Sequence, residues 1–104
     1  MKRIDFTKMV ASGNDFIIVE TSNQKPVTRN LKILAKKFCD RKYGIGADGL
    51  LILEKSKVAD IKMRIFNADG SEAAMCGNGA RCVALYNTSN QKKITIETKA
   101  GIIE

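Results

Sequence analysis

The sequence predicts a small α+β domain, because strand-like segments are interspersed with two helical ones. Positions 3–10 alternate apolar and polar side chains, a pattern typical of a half-buried strand. Positions 29–39 place apolar side chains three and four residues apart, which is typical of a helix with one apolar face. A Gly-Asn-Gly at 77–79 opens a second, mostly apolar helical segment. The length of 104 residues fits one domain with one modest core.

The first half of the chain is predicted to form a hairpin and a helix. Turn residues at 11–15 separate the strand at 3–10 from a second strand at 16–20, which is rich in β-branched residues. Thr28 is the predicted N-cap of the helix at 29–39. The apolar side chains of this helix share one face, so we expect that face to pack on the core.

The second half is predicted to contain short strands around the second helix. The predicted elements are a loop at 44–49, strands at 50–54 and 61–66, a tight turn at 67–71, a helix from 77 or 78 to about 87, and strands at 94–98 and from 102. The second helix carries Arg81 as its only charge, so we expect it to be buried inside the domain. The last strand is cut short at Glu104, which suggests the front part of a longer protein.

Composition excludes several classes of function. The net charge is +7, but the lysines are scattered, aromatic residues make up only 6%, and none lies in an RNA-recognition motif. We therefore expect a solvated basic surface and no nucleic-acid partner. The longest apolar run, at 50–53, is too short to cross a bilayer, and the N-terminus lacks the apolar region of a signal peptide. The prediction is a cytoplasmic protein that does not enter a membrane.

The chain has no histidine, which removes Ser-His-Asp triads, Cys-His dyads and histidine-ligated metals. Its three cysteines fit neither a complete disulfide framework nor a zinc motif, so we expect reduced thiols and no metal. Acid–base chemistry would fall to Cys, Asp, Glu, Lys or Tyr.

Cys76 is the most informative candidate for chemistry. It directly precedes the Gly-Asn-Gly that opens the second helix. The first N–H groups of a helix lack partners within the helix, and they attract anions. Thiolates are also favoured at such positions. One short segment therefore offers a base or nucleophile beside a site for a carboxylate.

Other candidate residues have simpler structural interpretations. Cys82 lies among apolar residues and Cys39 lies near a helix end, so both are predicted to pack in the core. Asp48 and Asp69 are predicted to form turns rather than to act as general acids. The glycine-rich loop at 44–49 lacks the Gly-Lys-Ser/Thr of a phosphate-binding loop, which argues against nucleotide binding.

Four blocks of sequence carry a resemblance to a known family. They are FTKM with GNDF at 6–9 and 13–16, CDR with GIGADG at 39–41 and 44–49, RIFNADGS at 64–71, and MCGNGARC at 75–82. In this order and spacing they are highly specific, and the chain resembles the diaminopimelate epimerases over nearly its whole length.

The resemblance implies a fold and a mechanism. Members of the family have two similar domains, each a strongly curved, barrel-like and mostly antiparallel sheet around a central helix. One cysteine from each domain faces the substrate α-carbon, and neither metal nor other cofactor is used. By this resemblance, residues 1–104 form the N-terminal domain, the C-terminal domain is absent from the chain, and the chain alone is expected to be inactive.

The resemblance also assigns residues by position. Cys76 corresponds to the catalytic cysteine of the first domain, and Gly77 and Asn78 correspond to residues that hold substrate at the helix start. Asn14 and Asn67 match asparagines that contact substrate. Many members have a substrate-binding glutamine where this chain has Gly49, so any role of Gly49 must come from its backbone or from water.

The implied activity is epimerisation of LL- to meso-diaminopimelate, an isomerase reaction that supplies lysine and peptidoglycan precursors. The implied partners are this small-molecule substrate, the C-terminal half of the same enzyme and, as one form of assembly, a second copy in a homodimer. Two alternatives stay open. The chain could be another racemase or isomerase of the same fold, acting on proline, hydroxyproline or a phenazine precursor, or it could be a non-catalytic module.

Overall fold

Seven strands and two helices make up the described part of the chain. The computed structural model describes residues 5–21, 30–86 and 94–103. In chain order the elements are β1 (Thr7–Ala11), β2 (Asn14–Glu20), α1 (Leu31–Cys39), β3 (Gly49–Glu54), β4 (Ile61–Asn67), β5 (Glu72–Ala73), α2 (Gly77–Tyr86), β6 (Ile96–Thr98) and β7 (Gly101–Ile103). Both predicted helices and the predicted strands are present, with bounds that differ by a few residues.

The described strands form one mixed sheet in the order β1-β2-β3-β4-β6-β7, with β5 beside β4. Four pairs are antiparallel, while β2–β3 and β4–β6 are parallel. Parallel neighbours need a crossover connection. Helix α1 lies in the connection from β2 to β3, and α2 lies in the connection from β4 to β6. The α+β prediction is confirmed, whereas the barrel-like closure is not seen, because β1 and β7 end the described sheet.

Each helix covers one face of the sheet. The α2 face buries Phe16, Ile18, Leu51, Leu53, Ile61, Met63, Ile65 and Ile96 with Cys82 and Val83 of α2. The α1 face buries Ile17, Val19, Leu50, Ile52 and Phe66 with Ala35 and Cys39 of α1. Strand β3 is covered on both faces, so its run Leu50–Leu53 is at most 1% exposed. Each such side chain contributes about 1.5–3 kcal/mol through burial.

Helix α1 begins at Leu31, two residues later than predicted. Its N-cap is Asn30, whose Oδ1 accepts a hydrogen bond from the Ile33 N–H at 3.2 Å. Thr28, the predicted N-cap, lies outside the described residues. Asparagine and threonine are both good N-cap residues, and sequence alone does not decide between positions two apart.

Helix α2 is less buried than predicted. Only Gly79, Cys82 and Val83 of this helix are buried, while Leu85 is 63% exposed. The helix packs one side on the sheet, and none of the described residues forms a second layer over its other side. Its C-terminal end is held by Tyr86, whose hydroxyl donates to Glu20 Oε2 at 2.9 Å. Neither α1 nor α2 is long and apolar enough to cross a membrane.

Strand β5 is not predicted by the sequence, because two residues are too few to show a periodicity. It is held beside β4 by Glu72, which accepts hydrogen bonds from Arg64 Nε at 3.0 Å and from Arg64 NH2 at 3.2 Å. The Arg64 guanidinium also lies over the Phe66 ring, with its carbon 5.2 Å from the ring centre. The turn that leads into β5 is where one of the candidate asparagines lies.

Candidate active site

Cys76 lies directly before α2, at the end of the sheet face that this helix covers. The Cys76 carbonyl accepts the first helical hydrogen bond, from the Ala80 N–H at 2.9 Å. The N–H groups of Gly77, Asn78 and Gly79 therefore belong to the first turn, where no partner within the helix is available. A Cβ at Gly77 would meet no atom within 4 Å, so this turn is open on that side. The predicted helix start is confirmed.

The fold brings Asn14 to the start of α2. Asn14 is the first residue of β2 and Asn78 is the second residue of α2, and they are 64 positions apart in the chain. Asn78 Nδ2 donates a hydrogen bond to Asn14 Oδ1. Both side chains are half-buried. Two of the predicted site residues thus form one amide pair next to Cys76.

Asn67 lies at the same end of the sheet but bonds within its own turn. It is the last residue of β4 and pairs with Gly49, which in turn pairs with Phe16 near the start of β2. Asn67 Nδ2 donates to Ser71 Oγ at 3.0 Å. The Ser71 hydroxyl donates to Asp69 Oδ1 at 2.6 Å, so Asp69 forms the turn as predicted.

A side chain at position 49 would be crowded in this arrangement. A Cβ at this position would lie 3.1 Å from the Phe16 ring and 3.1 Å from the Phe66 carbonyl oxygen. Such contacts are tighter than ordinary van der Waals packing. The buried Phe16 ring fills the space beside Gly49, which agrees with a backbone role at this position.

A charged cluster that the sequence did not predict adjoins Asn14. Arg41 NH1 and NH2 donate to the two carboxylate oxygens of Asp15 at 3.1 and 2.8 Å, and NH2 also donates to Asp48 Oδ1 at 3.2 Å. Lys8 Nζ lies 3.3 Å from Asp15 Oδ2. The Arg41 guanidinium holds the pKa of the Asp15 carboxyl far below its usual range, although burial acts in the opposite direction. These residues lie in two of the four motif blocks, but pairing across such distances leaves no local signal.

The other two thiols are in the core, as predicted. Cys39 is 3% exposed, and burial raises the pKa of its thiol to about 11, with the Asp15 carboxylate acting in the same direction. Cys82 is fully buried, and burial raises its pKa, with a smaller contribution from Cys76. All three cysteines are free thiols. Within 5–21, 30–86 and 94–103, no group of three or more His, Cys, Asp and Glu side chains is placed to hold a metal ion.

The sequence profile of diaminopimelate epimerases matches residues 6–104. The chain belongs to the diaminopimelate epimerase family. A diaminopimelate epimerase of Carboxydothermus hydrogenoformans is 55% identical over 97% of this chain and 39% of its own length. The diaminopimelate epimerase of Caldanaerobacter subterraneus is 56% identical over 94% of this chain and 36% of its own length. That of Methanocella arvoryzae is 50% identical over 100% of this chain and 39% of its own length. The chain thus spans little more than a third of these epimerases.

Solved structures share the fold of this member of the diaminopimelate epimerase family. A phenazine biosynthesis protein of the PhzF family from Bacillus anthracis has a TM-score of 0.71 and 28% identity over 98% of this chain and 35% of its own. A methylitaconate-delta-isomerase has a TM-score of 0.73 and 17% identity, over 96% and 33%. A hydroxyproline epimerase from Agrobacterium vitis has a TM-score of 0.65 and 16% identity, over 93% and 35%. The last two show the fold alone.

Proposed function

We propose that this chain is the N-terminal domain of a diaminopimelate epimerase and that Cys76 is one of its two catalytic bases. The observation that carries the proposal is the arrangement at the start of α2. A half-buried thiol directly precedes an open first helical turn, and the Asn14–Asn78 amide pair adjoins that turn. The family membership supplies the substrate class.

The arrangement suits removal of a weakly acidic proton from an amino-acid α-carbon. The N–H groups of the first turn of α2 would bind the α-carboxylate, since helix starts favour anions. The amides of Asn14, Asn67 and Asn78 would orient the zwitterion without adding net charge. Fixed dipoles of this kind stabilise the negative charge that develops on the α-carbon and its carboxylate.

The proposed reaction needs two bases. The Cys76 thiolate takes the α-proton, so the Cα–H bond breaks, an S–H bond forms, and the electron pair stays on the carbanion. A thiol on the opposite side then gives its proton to the α-carbon and becomes a thiolate. The configuration is inverted, and the reverse reaction exchanges the two roles. The second thiol would come from a second domain.

The proposal has finer parts that rest on the resemblance to the family. They are a barrel-like curvature of the described sheet around α2, catalysis without metal or other cofactor, a cytoplasmic location, and a homodimer as one form of assembly. The isolated chain is expected to bind no more than one side of the substrate and to catalyse no turnover.

The experiment uses a chimera in which this chain replaces the matching segment of the Carboxydothermus hydrogenoformans epimerase. LL-diaminopimelate is supplied in deuterated water, and NMR follows α-deuteration and formation of the meso form. We expect Cys76→Ala to lower turnover about 100- to 10,000-fold, as loss of a general base does. Cys39→Ala, which removes a buried thiol from the opposite face of the sheet, serves as the matched control and should retain turnover.

Three outcomes would count against the proposal. An inactive parent chimera would contradict the assignment of this chain as an epimerase domain. Unchanged turnover in Cys76→Ala would contradict the role of that thiol. Racemisation of proline or hydroxyproline, with no turnover of diaminopimelate, would keep the chemistry and overturn the substrate.

A further inference from the structure

We infer that Asp48 is a positioning residue, which is held by Arg41 and which fixes the Asn14 amide in the orientation that meets Asn78 at the start of α2. The sequence assigns Asp48 only the role of a turn former. The inference rests on the proposed function in one respect, namely that Asn14 and Asn78 contact the substrate.

Both carboxylate oxygens of Asp48 are engaged. Oδ2 accepts from Asn14 Nδ2 at 3.2 Å and from the backbone N–H of Asp15 at 3.1 Å. Oδ1 accepts from Arg41 NH2 at 3.2 Å. The nitrogen and oxygen of a side-chain amide lie on opposite sides of one carbon. A carboxylate that holds Asn14 Nδ2 therefore turns Asn14 Oδ1 away from itself and toward Asn78 Nδ2, where the structure has it.

Asp48 is itself held by a reciprocal pair of contacts with Asp15. The Asp48 N–H donates to the Asp15 carbonyl and to Asp15 Oδ1, both at 2.9 Å, while the Asp15 N–H donates to the Asp48 carboxylate. Two carboxylates so close repel each other unless a cation lies between them. Arg41 binds both, and Lys8 adds a second positive charge on Asp15. The Asp48 side chain is therefore fixed relative to the start of β2.

The backbone on either side of Asp48 is anchored in the core. Ala47 is 1% exposed, and its N–H donates to the Cys39 carbonyl at the end of α1 at 3.2 Å. Gly49 begins β3 and pairs with Phe16. The backbone of Asp48 is therefore fixed by its two neighbours, while its carboxylate, which is 41% exposed, is held by its hydrogen bonds to Asn14, Asp15 and Arg41. This path connects the C-terminal end of α1, on one face of the sheet, with the start of α2, on the other.

The hydrogen bonds of Asn14 and Asn78 leave one amide proton on each side chain for a ligand. Each amide NH2 carries two protons, and the bonds described here use one proton on Asn14 and one on Asn78. Fixed donors and acceptors bind a zwitterion with less loss of freedom than rotating ones. Without Asp48, the Asn14 amide can rotate, and its pairing with Asn78 is no longer enforced.

The test compares Asp48→Ala with Asp40→Ala. Asp40 is a matched control because it lies in the same segment and its carboxylate caps the N–H groups of Lys42 and Tyr43, at 2.8 and 3.1 Å. In the chain itself, NMR of the 15N-labelled side-chain amides reads the Asn14 NH2 directly. We expect Asp48→Ala to shift these signals and to speed their exchange with water, and Asp40→Ala to leave them in place.

Activity is then read in the chimera. We expect Asp48→Ala to lower kcat/KM about 10- to 100-fold, the size of effect that misplaced substrate-binding groups produce. Alkylation of Cys76 should proceed at the parent rate, because the thiol is not moved. Asp48→Asn keeps an amide oxygen that can accept from Asn14 but loses the charge that binds Arg41, so we expect an intermediate kcat/KM.

The NMR and activity measurements distinguish a failure of this inference from a failure of the proposed function. Unchanged Asn14 signals in Asp48→Ala would overturn the inference, and so would equal kcat/KM values for Asp48→Ala and Asp40→Ala. An inactive parent chimera would contradict the proposed function instead, and the NMR comparison alone would then decide whether Asp48 positions Asn14.

Discussion

The two helices lie on opposite faces of one sheet, and they begin in different ways. At the start of α1, the Asn30 side chain accepts the N–H of Ile33. The corresponding position before α2 is Cys76, followed by Gly-Asn-Gly. Thiols are weak acceptors, and N-cap positions favour Asn, Asp, Ser and Thr. The start of α1 is capped by a side chain, whereas the residue at the same position before α2 is a weak hydrogen-bond acceptor, and we propose that the first N–H groups of α2 bind a ligand.

Cys39 and Cys76 differ in their burial and in their position on a helix. Cys39 ends α1 inside the core, where burial raises the pKa of its thiol to about 11. Cys76 precedes α2 and is half-buried. The comparison teaches that residue type alone does not define a candidate nucleophile, because position on the helix and burial decide which thiol can react.

The largest expected effect is the difference in thiol reactivity. Native chain treated with iodoacetamide should be alkylated at Cys76 at least about 100-fold faster than at Cys39 or Cys82, because a buried thiol reacts only after local opening. Mass spectrometry of tryptic peptides gives the three rates, and alkylation in denaturant gives the reference rate for each. Similar protection of Cys76 and Cys39 would remove the contrast between the two helices.

The next effect concerns the charged cluster that links the end of α1 to β2. Asp15 faces Arg41, Lys8 and Asp48. Its folded-state pKa lies below the unfolded value of about 3.9, so its stabilisation is complete above that pH and is lost as the pH falls. We expect Asp15→Asn to cost about 1–3 kcal/mol at pH 7, because it weakens charge-assisted hydrogen bonds. Urea unfolding at pH 7 and pH 3 measures the stability lost in Asp15→Asn and the dependence of stability on pH.

The control for the acid effect is Asp40→Asn, which changes a carboxylate outside the cluster. Hydrogen bonds from the Tyr43 and Lys42 N–H groups also lower the pKa of Asp40, so this variant should lose slightly less stability than the parent between pH 7 and pH 3. Asp15→Asn should have a flatter dependence than either, because the pKa of Asp15 is lowered further. Equal pH dependence in Asp15→Asn and the parent chain would show that this cluster does not stabilise the fold.

The third prediction removes the N-cap of α1 and introduces a stronger N-cap before α2. Asn30→Ala should lower the free energy of unfolding by about 1 kcal/mol, the usual value of an N-cap. Cys76→Ser places a good N-cap residue before α2 and should raise stability by up to about 1 kcal/mol while activity in the chimera is lost. Chemical denaturation of both variants provides the test. A Cys76→Ser variant destabilised as much as Asn30→Ala would show that α2 is already capped.

Local patterns in the sequence predict where helices and strands form better than they predict how deeply each element is buried. The alternation of side chains predicts β4, and the Gly-Asn-Gly predicts the start of α2, because backbone preference acts within a few residues. The burial of α2 is predicted wrongly because hydrophobicity does not say which element covers a face. Leu85 of this helix is apolar and yet 63% exposed.

In the candidate site, too, the sequence predicts individual residues better than the contacts between distant ones. Cys76 and the asparagines are found by motif and resemblance, and the contact between Asn14 and Asn78 agrees with their grouping. The part played by Asp48 is not predictable from its neighbours in sequence. Its partners lie 7 positions away at Arg41 and 34 positions away at Asn14, and only the parallel pairing of β2 with β3 brings them together.

The smallest expected effect tests how tightly the start of α2 packs on the sheet. A Cβ at Gly77 would meet open space, whereas one at Gly79 would lie 3.2 Å from Leu51 Cδ2 and 3.8 Å from the Cys76 sulfur. Both glycines have helical backbone, so alanine is favoured by about 0.4–1 kcal/mol before contacts are considered. We expect Gly77→Ala to stabilise the chain by that amount and Gly79→Ala to gain less or to lose stability. Thermal denaturation measures the difference, and the double variant Gly79→Ala with Leu51→Val relieves the contact. Equal stabilisation by both single substitutions would mean that α2 can move away from Leu51, and that the position of Cys76 is set by its turn rather than by the sheet beneath it.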